Sequence, residues 1–195
     1  MPRQKGFSSE YSKGASYMDF KEYVEKIGTF VSSGAWDRLE DEFHKVCVDL
    51  AGDDYAKRIE AVDVNEYENE IQASIEHAVD QGEDLDIAAI YFEYNLDNGW
   101  EGVFFLCSDY NSEEDNDDDW ARDWEKKMEG PVIPEFADIY QENNGTQTKE
   151  GIGATAYMIA RTVAAIGRAI EEIDTGGLAV AVGYKDQDFL MHVVD

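Results

Sequence analysis

Ile87-Ala88-Ala89-Ile90-Tyr91-Phe92-Glu93-Tyr94, then Asp97-Asn98-Gly99, then Trp100-Glu101-Gly102-Val103-Phe104-Phe105-Leu106-Cys107 form the core of the segment from Asp86 to Trp124. Two short apolar runs around an Asn-Gly pair predict a β-hairpin, because both turn residues tolerate the positive φ of a type I′ turn. Each run is apolar at odd and even positions alike. A strand of that kind is covered on both sides, which places the hairpin in the middle of a sheet. The chain then passes into Asp109-Tyr110-Asn111-Ser112-Glu113-Glu114-Asp115-Asn116-Asp117-Asp118-Asp119-Trp120, its most acidic loop. The expected picture is a rigid central hairpin with an acidic rim at one end.

Working outward toward the amino terminus, residues 1–16 are polar and aperiodic and read as a flexible leader. Residues 17–195 read as a single domain, with a helical section over 17–82 and a hairpin, helices and hairpin over 86–195. Phe20, Tyr23, Val24, Ile27, Phe30 and Val31 fall at helical spacing and stop at Ser32-Ser33-Gly34. Trp36, Leu39, Phe43, Val46 and Leu50 give a second helix that Gly52 can close, and the two are expected to pair antiparallel. A short turn from Asp53-Asp54 reaches Ile59. Asp63-Val64-Asn65-Glu66 has the form of a capping box before a third stripe of Val64, Tyr67, Ile71, Ile75 and Ala78. The other face of that helix carries Glu66, Glu68, Glu70, Glu76 and Asp80 with no basic residue beside them, so packing must hold it against its own charge.

On the carboxyl side, Trp120, Trp124 and Met128 stand four residues apart and predict a helix ended by Gly130-Pro131, with Asp117, Asp118 and Asp119 at its amino terminus. Of the two tryptophans, Trp120 is expected nearer the surface because it adjoins Asp119. Pro134 opens a short helix that Asn143-Asn144-Gly145 ends. Thr148 then caps the longest helix, whose Ile152, Ala156, Ile159, Val163, Ile166, Ile170 and Ile173 alternate steps of four and three amid Ala160, Ala164, Ala165, Gly167 and Ala169. Such a helix belongs in the core. Leu178 to Gly183 and Asp188 to Val194 form a closing hairpin. The fold class is therefore α+β, with a central antiparallel sheet of two hairpins covered by the long helix and the amino-terminal helices.

Charge limits function more than any motif does. The chain has 195 residues, with 16 basic and 44 acidic residues and a net charge of −28. Between Arg58 and Arg122 there is no Lys or Arg, while twenty Asp and Glu fall in that window. Such a field repels nucleic acid and anionic membrane and speeds encounter with a basic partner. Cys47 and Cys107 sit in apolar patterns and read as buried thiols. With no apolar signal segment and no run near the ~20 residues of a membrane helix, the expected location is cytoplasmic.

Motifs for chemistry fail on spacing. Gly151-Ile152-Gly153-Ala154-Thr155-Ala156 follows a polar loop and no strand, so it is explained by close helix packing better than by a dinucleotide. Asp109, Asn111, Glu113 and Asp115 alternate like calcium ligands, but loop positions six and twelve fall on Glu114 and Trp120; counted from Asp115 they fall on Trp120 and Lys126. His44, His77 and His192 lie far apart and read as structural. No cofactor, metal site or catalytic residue is assigned.

From Ile71 onward the order of elements resembles a bacterial family encoded beside polymorphic toxins. The matching features are the helix before Ile87-Ala88-Ala89-Ile90-Tyr91, the second strand Val103 to Cys107, the segment Asp119-Trp120-Ala121-Arg122-Asp123-Trp124-Glu125, the late long helix and the closing strand Leu190 to Asp195. The resemblance implies an immunity-like role and brings no catalytic residue. The expected function is an acidic protein-binding module that neutralises a basic partner, such as a toxin or nuclease, through Asp109, Glu113, Glu114, Asp115, Asp117, Asp118, Asp119 and Trp120. Two alternatives stand beside it: a small enzyme or ligand-binding domain with a pocket between sheet and long helix, and a salt-adapted housekeeping domain.

Overall fold

The structure is a computed structural model that describes residues 19–82, 85–115, 117–187 and 189–195; the expected leader, residues 1–16, lies outside them. The protein is α+β. Helices α1 (Phe20–Val31), α2 (Trp36–Ala51), α3 (Asp53–Glu60) and α4 (Asn65–Gly82) precede strands β1 (Ala89–Asn95), β2 (Glu101–Cys107) and β3 (Trp124–Glu129). Helices α5 (Pro134–Glu142) and α6 (Lys149–Glu171) and strands β4 (Ala179–Tyr184) and β5 (Met191–Val194) follow. The sheet order is β3-β2-β1-β4-β5. Each hairpin is antiparallel, as expected, but β1 and β4 lie side by side in parallel, so the sheet as a whole is mixed.

Helix α6 is the hub. Thr148 caps it by accepting from the Gly151 N–H at 2.9 Å, and almost every residue from Gly151 to Ile170 is buried. Its glycines admit α2. A Cβ on Gly153 would stand 2.6 Å from Leu50 Cβ, and one on Gly167 would stand 2.4 Å from the Trp36 ring. Trp36 and Leu50 are fourteen residues apart, as are Gly153 and Gly167, and they match in reverse order. Helices α2 and α6 therefore run antiparallel in close register over about 21 Å, at 1.5 Å per residue. The main partner of α2 is thus α6 rather than α1. A Cβ on Gly151 would fall 2.0 Å from the Gly145 carbonyl oxygen, so the glycines of this pattern are packing residues.

Two arginines absent from the apolar stripe tie the helices together. Arg161, buried, donates from Nη1 to the carbonyls of Ile59, Glu60 and Val62 at 2.5, 3.3 and 3.0 Å, satisfying the end of α3 where the helix leaves its carbonyls unpaired. Arg168 pairs with Glu68 at 3.0 Å and Glu40 at 3.3 Å. Glu68 on α4 is therefore supported, from a partner a hundred residues away that no local pattern displays. Asp63 accepts from the Asn65 N–H at 3.0 Å, one position short of a capping box.

The first hairpin turns one residue later than its Asn-Gly pair predicts. The residues with positive φ are Gly99 at 64° and Trp100 at 54°, and the Glu101 N–H bonds the Asn98 carbonyl at 3.0 Å. A bulky residue in this conformation costs about 1–2 kcal/mol. Trp100 tolerates it because its ring is fully buried against Tyr94 and Phe136 and its Nε1 donates to Thr162 Oγ1 at 2.9 Å, gains of ~3 kcal/mol together.

The expected helix over Trp120 to Met128 does not form. Asp119–Arg122 is a single 3-10 turn, and Trp124–Glu129 is the edge strand β3 paired with β2. Leu106 opposes Lys126 while Cys107 opposes Trp124, so Glu125 is a bulge that turns Trp124 and Met128 to opposite faces.

Candidate functional site

Strand alternation gives the sheet two faces. Ile90, Phe92, Tyr94, Phe104, Leu106, Val180 and Val182 join the helices in the main core and are completely buried, while an open cavity of about 370 Å³ remains where Gly167 and Ile170 of α6 face Val193 and Val194 of β5. Ala89, Tyr91, Cys107, Ala179 and Ala181 point the other way and form a second, smaller cluster with Trp120, flanked by Phe105, Tyr110, Ala121 and Leu190. Among the described residues no α-helix covers this second face. The acidic segment does, crossing it instead of standing as a rim at one end.

The segment is pinned at its middle. Asp118 accepts from the Leu190 N–H at 2.8 Å and meets His192 Nε2 at 3.3 Å. The Tyr110 hydroxyl lies 3.0 Å from His192 Nδ1 and donates to Asp195. Tyr110 also packs edge-on to Trp120, with ring centroids 5.1 Å apart. Burial, and then the hydrogen bond to Asp195, raises the Tyr110 hydroxyl above its ordinary range, so it serves as a neutral donor. Trp120 is 3 % exposed and Trp124 is 46 % exposed, the reverse of the expected order. Trp120 is buried because the absent helix leaves its ring to fill the space over the small residues Ala89, Ala179 and Ala181.

Beside the pinned segment lies an open groove of about 640 Å³. Its floor is a row of aromatic rings from three adjacent strands: Tyr91 stacks on Phe105 with centroids 5.7 Å apart, and Phe105 meets Trp124 at 5.7 Å. Glu93, Asp117, Asp118, Asp119 and Asp186 bring five carboxylates to the walls, and among the described lining residues Arg122 is the one base. Arg122 is held by Asp119 at 2.8 Å, and Lys127 Nζ lies 5.9 Å from the Phe105 ring centre. Burial, followed by the charge of Glu93, pushes the Tyr91 hydroxyl up, and it donates to Glu93 at 3.3 Å. The site can hold cations by charge and by ring faces; its Tyr91 hydroxyl is held protonated.

Of the acidic residues singled out from sequence, Asp117, Asp118 and Asp119 line this groove, whereas Glu113 lies on the other side of Asp118, beside His192 and α1. Asp109, Glu114 and Asp115 line neither. Asp115 is used locally, accepting from Ser112 N and Oγ at 3.1 and 3.0 Å. Among the described residues, no three His, Cys, Asp or Glu side chains converge as a metal site requires. His192 is buried in the network, His44 lies edge-on to Tyr157, and His77 is exposed.

Sequence reasoning missed Tyr91, Glu93, Phe105 and Asp186 as site residues. A signal was present for the face: Ala89, Ala179, Ala181 and Gly183 fall at alternate strand positions, and small residues there call for a close cover of irregular chain. No protein-family model, curated protein or solved structure gives a significant match to this chain. Among the described residues no helix is long and apolar enough to cross a membrane.

Proposed function

We propose that this protein is an acidic protein-binding module of the immunity type, taking a basic partner protein on the helix-free face of its sheet. One observation supports the reading above the others: a groove floored by Tyr91, Phe105 and Trp124, an exposed tryptophan among them, is walled by five carboxylates against one arginine. Aromatic rings supply contact area at an interface core, and complementary charge supplies encounter rate and specificity. The acidic segment keeps its exposed carboxylates in place because Asp118 anchors it. Asp118 is therefore a positioning residue of the surface, and its neighbours are the contact residues.

The experiment is association with the product of the adjacent gene, followed by stopped flow over a range of salt. Asp109, Glu113, Glu114, Asp115, Asp117 and Asp119 are changed together to Asn or Gln, leaving Asp118 intact. We expect the wild-type rate to fall steeply with salt and the variant to associate about tenfold more slowly. No association removes the immunity-type reading, and an unchanged rate removes the acidic segment from the interface.

A further inference from the structure

Resting on the binding reading above, we propose that the groove receives an arginine side chain of the basic partner, and that Arg122 of this chain holds its place until the partner arrives. The guanidinium stacks on the exposed Trp124 ring and takes the Asp119 carboxylate that Arg122 leaves.

The protein's own cations already display both halves of this chemistry. Lys127 Nζ stands 5.9 Å from the Phe105 ring, a cation over an aromatic face of the floor, and Arg122 Nη1 stands 2.8 Å from Asp119 Oδ1, a guanidinium on a carboxylate of the wall. Both Arg122 and Asp119 are largely exposed, with side-chain accessibilities of 82 % and 76 %. An exposed pair three residues apart contributes little to stability, so exchanging one arginine for another there costs the fold almost nothing. Trp124 has its free surface because the bulge at Glu125 turns it outward onto the open face. Arginine fits this floor better than lysine does, since a planar guanidinium stacks on a ring while its edge donates to a carboxylate, and a hydrated ammonium cannot do both.

The test uses the full chain and two synthetic peptides of equal length and charge, one alternating Arg and Gly and the other Lys and Gly. Binding is followed by isothermal titration calorimetry, which reads wild type and every variant alike. The arginine peptide is expected to bind several-fold more tightly than the lysine peptide. Trp124→Ala should weaken the arginine peptide about tenfold and bring the two peptides level, whereas Arg122→Ala should tighten it about threefold by removing the resident competitor. Circular dichroism of each variant confirms the fold. Equal affinities with no response to Trp124→Ala overturn the arginine assignment while leaving salt-dependent partner association, and with it the binding reading, standing. Weaker binding in Arg122→Ala overturns the exchange. Removal of residues 1–18 that tightens the wild-type peptide affinity gives the groove to the chain's own Arg3 and Lys5, and a Trp124-dependent dimer gives it to a second copy; either result overturns the assignment to a partner.

Discussion

The two faces of the sheet are built from the same three interior strands and are covered in different ways. On one face, branched and aromatic residues such as Ile90, Phe104 and Val182 meet a helix layer, and the hub helix α6 is buried on every side. On the other, alanines and single aromatics meet an irregular acidic segment, and the cover stops short of Phe105 and Trp124. Regular elements satisfy their own backbone, so they can be packed dry over a wide area. An irregular segment must bond its backbone to side chains or water and so covers less. The first face therefore carries the stability of the whole fold, while the second can open by itself.

The largest effect expected from this contrast belongs to Arg161. Arg161→Met keeps the apolar stem but removes the charged donor from the Ile59, Glu60 and Val62 carbonyls, of which Ile59 keeps the Val62 N–H, and should lower unfolding free energy by about 3 kcal/mol in urea titration. A loss under about 1 kcal/mol would mean that the end of α3 finds other partners, and the helix layer would be looser than its packing implies.

A smaller and more local effect is expected on the opposite face. Trp120→Ala removes the ring that joins the acidic segment to Ala89 and Ala181, so amide hydrogen exchange over 109–123 should accelerate at least about tenfold, with α6 protection little changed. Equal acceleration in α6 would break the distinction between a global face and a local one.

The two thiols offer the finest comparison, one on each side. Burial pushes Cys47, on α2, and Cys107, under the acidic segment, each up to about 12. Both stay neutral at pH 8 and should react slowly with a thiol reagent, Cys107 through local opening and Cys47 only through global unfolding. Trp120→Ala should speed Cys107 alone. Because the unfolded thiols ionise near pH 9 and the folded ones near 12, the unfolded state loses protons first in that window. Stability is thus unaffected by the thiols below pH 9 and declines as pH rises from there toward 12. Replacing both with Ala should flatten part of that decline; the buried tyrosines, also raised, account for the rest.

Most of the helices and both hairpins were legible, because each is written in a local period. Thr148, Gly52 and Pro134 sit at helix ends for reasons internal to their own segments. The segment from Trp120 to Met128 was misread for an equally physical reason: a spacing of four is one face of a helix and also an even number of strand residues, so it cannot separate the two periods. Pairing with β2 settled the matter, and the Glu125 bulge then turned Trp124 outward. Of the site, the acidic wall was visible as composition. The aromatic floor was not, since Tyr91, Phe105 and Trp124 become neighbours only across three strands.

By itself the sequence determined the α+β class, the extents of the apolar helices, the two hairpins and the excess of negative charge, all properties of residues near one another along the chain. Only the tertiary structure decided that the hairpins join in parallel, that Arg161 and Arg168 hold α3 and α4, and that the acidic segment lies across a sheet face with Trp120 beneath it and Trp124 outside. Those outcomes depend on which surfaces meet, and a burial or a pairing contributes free energy only once both partners are in place.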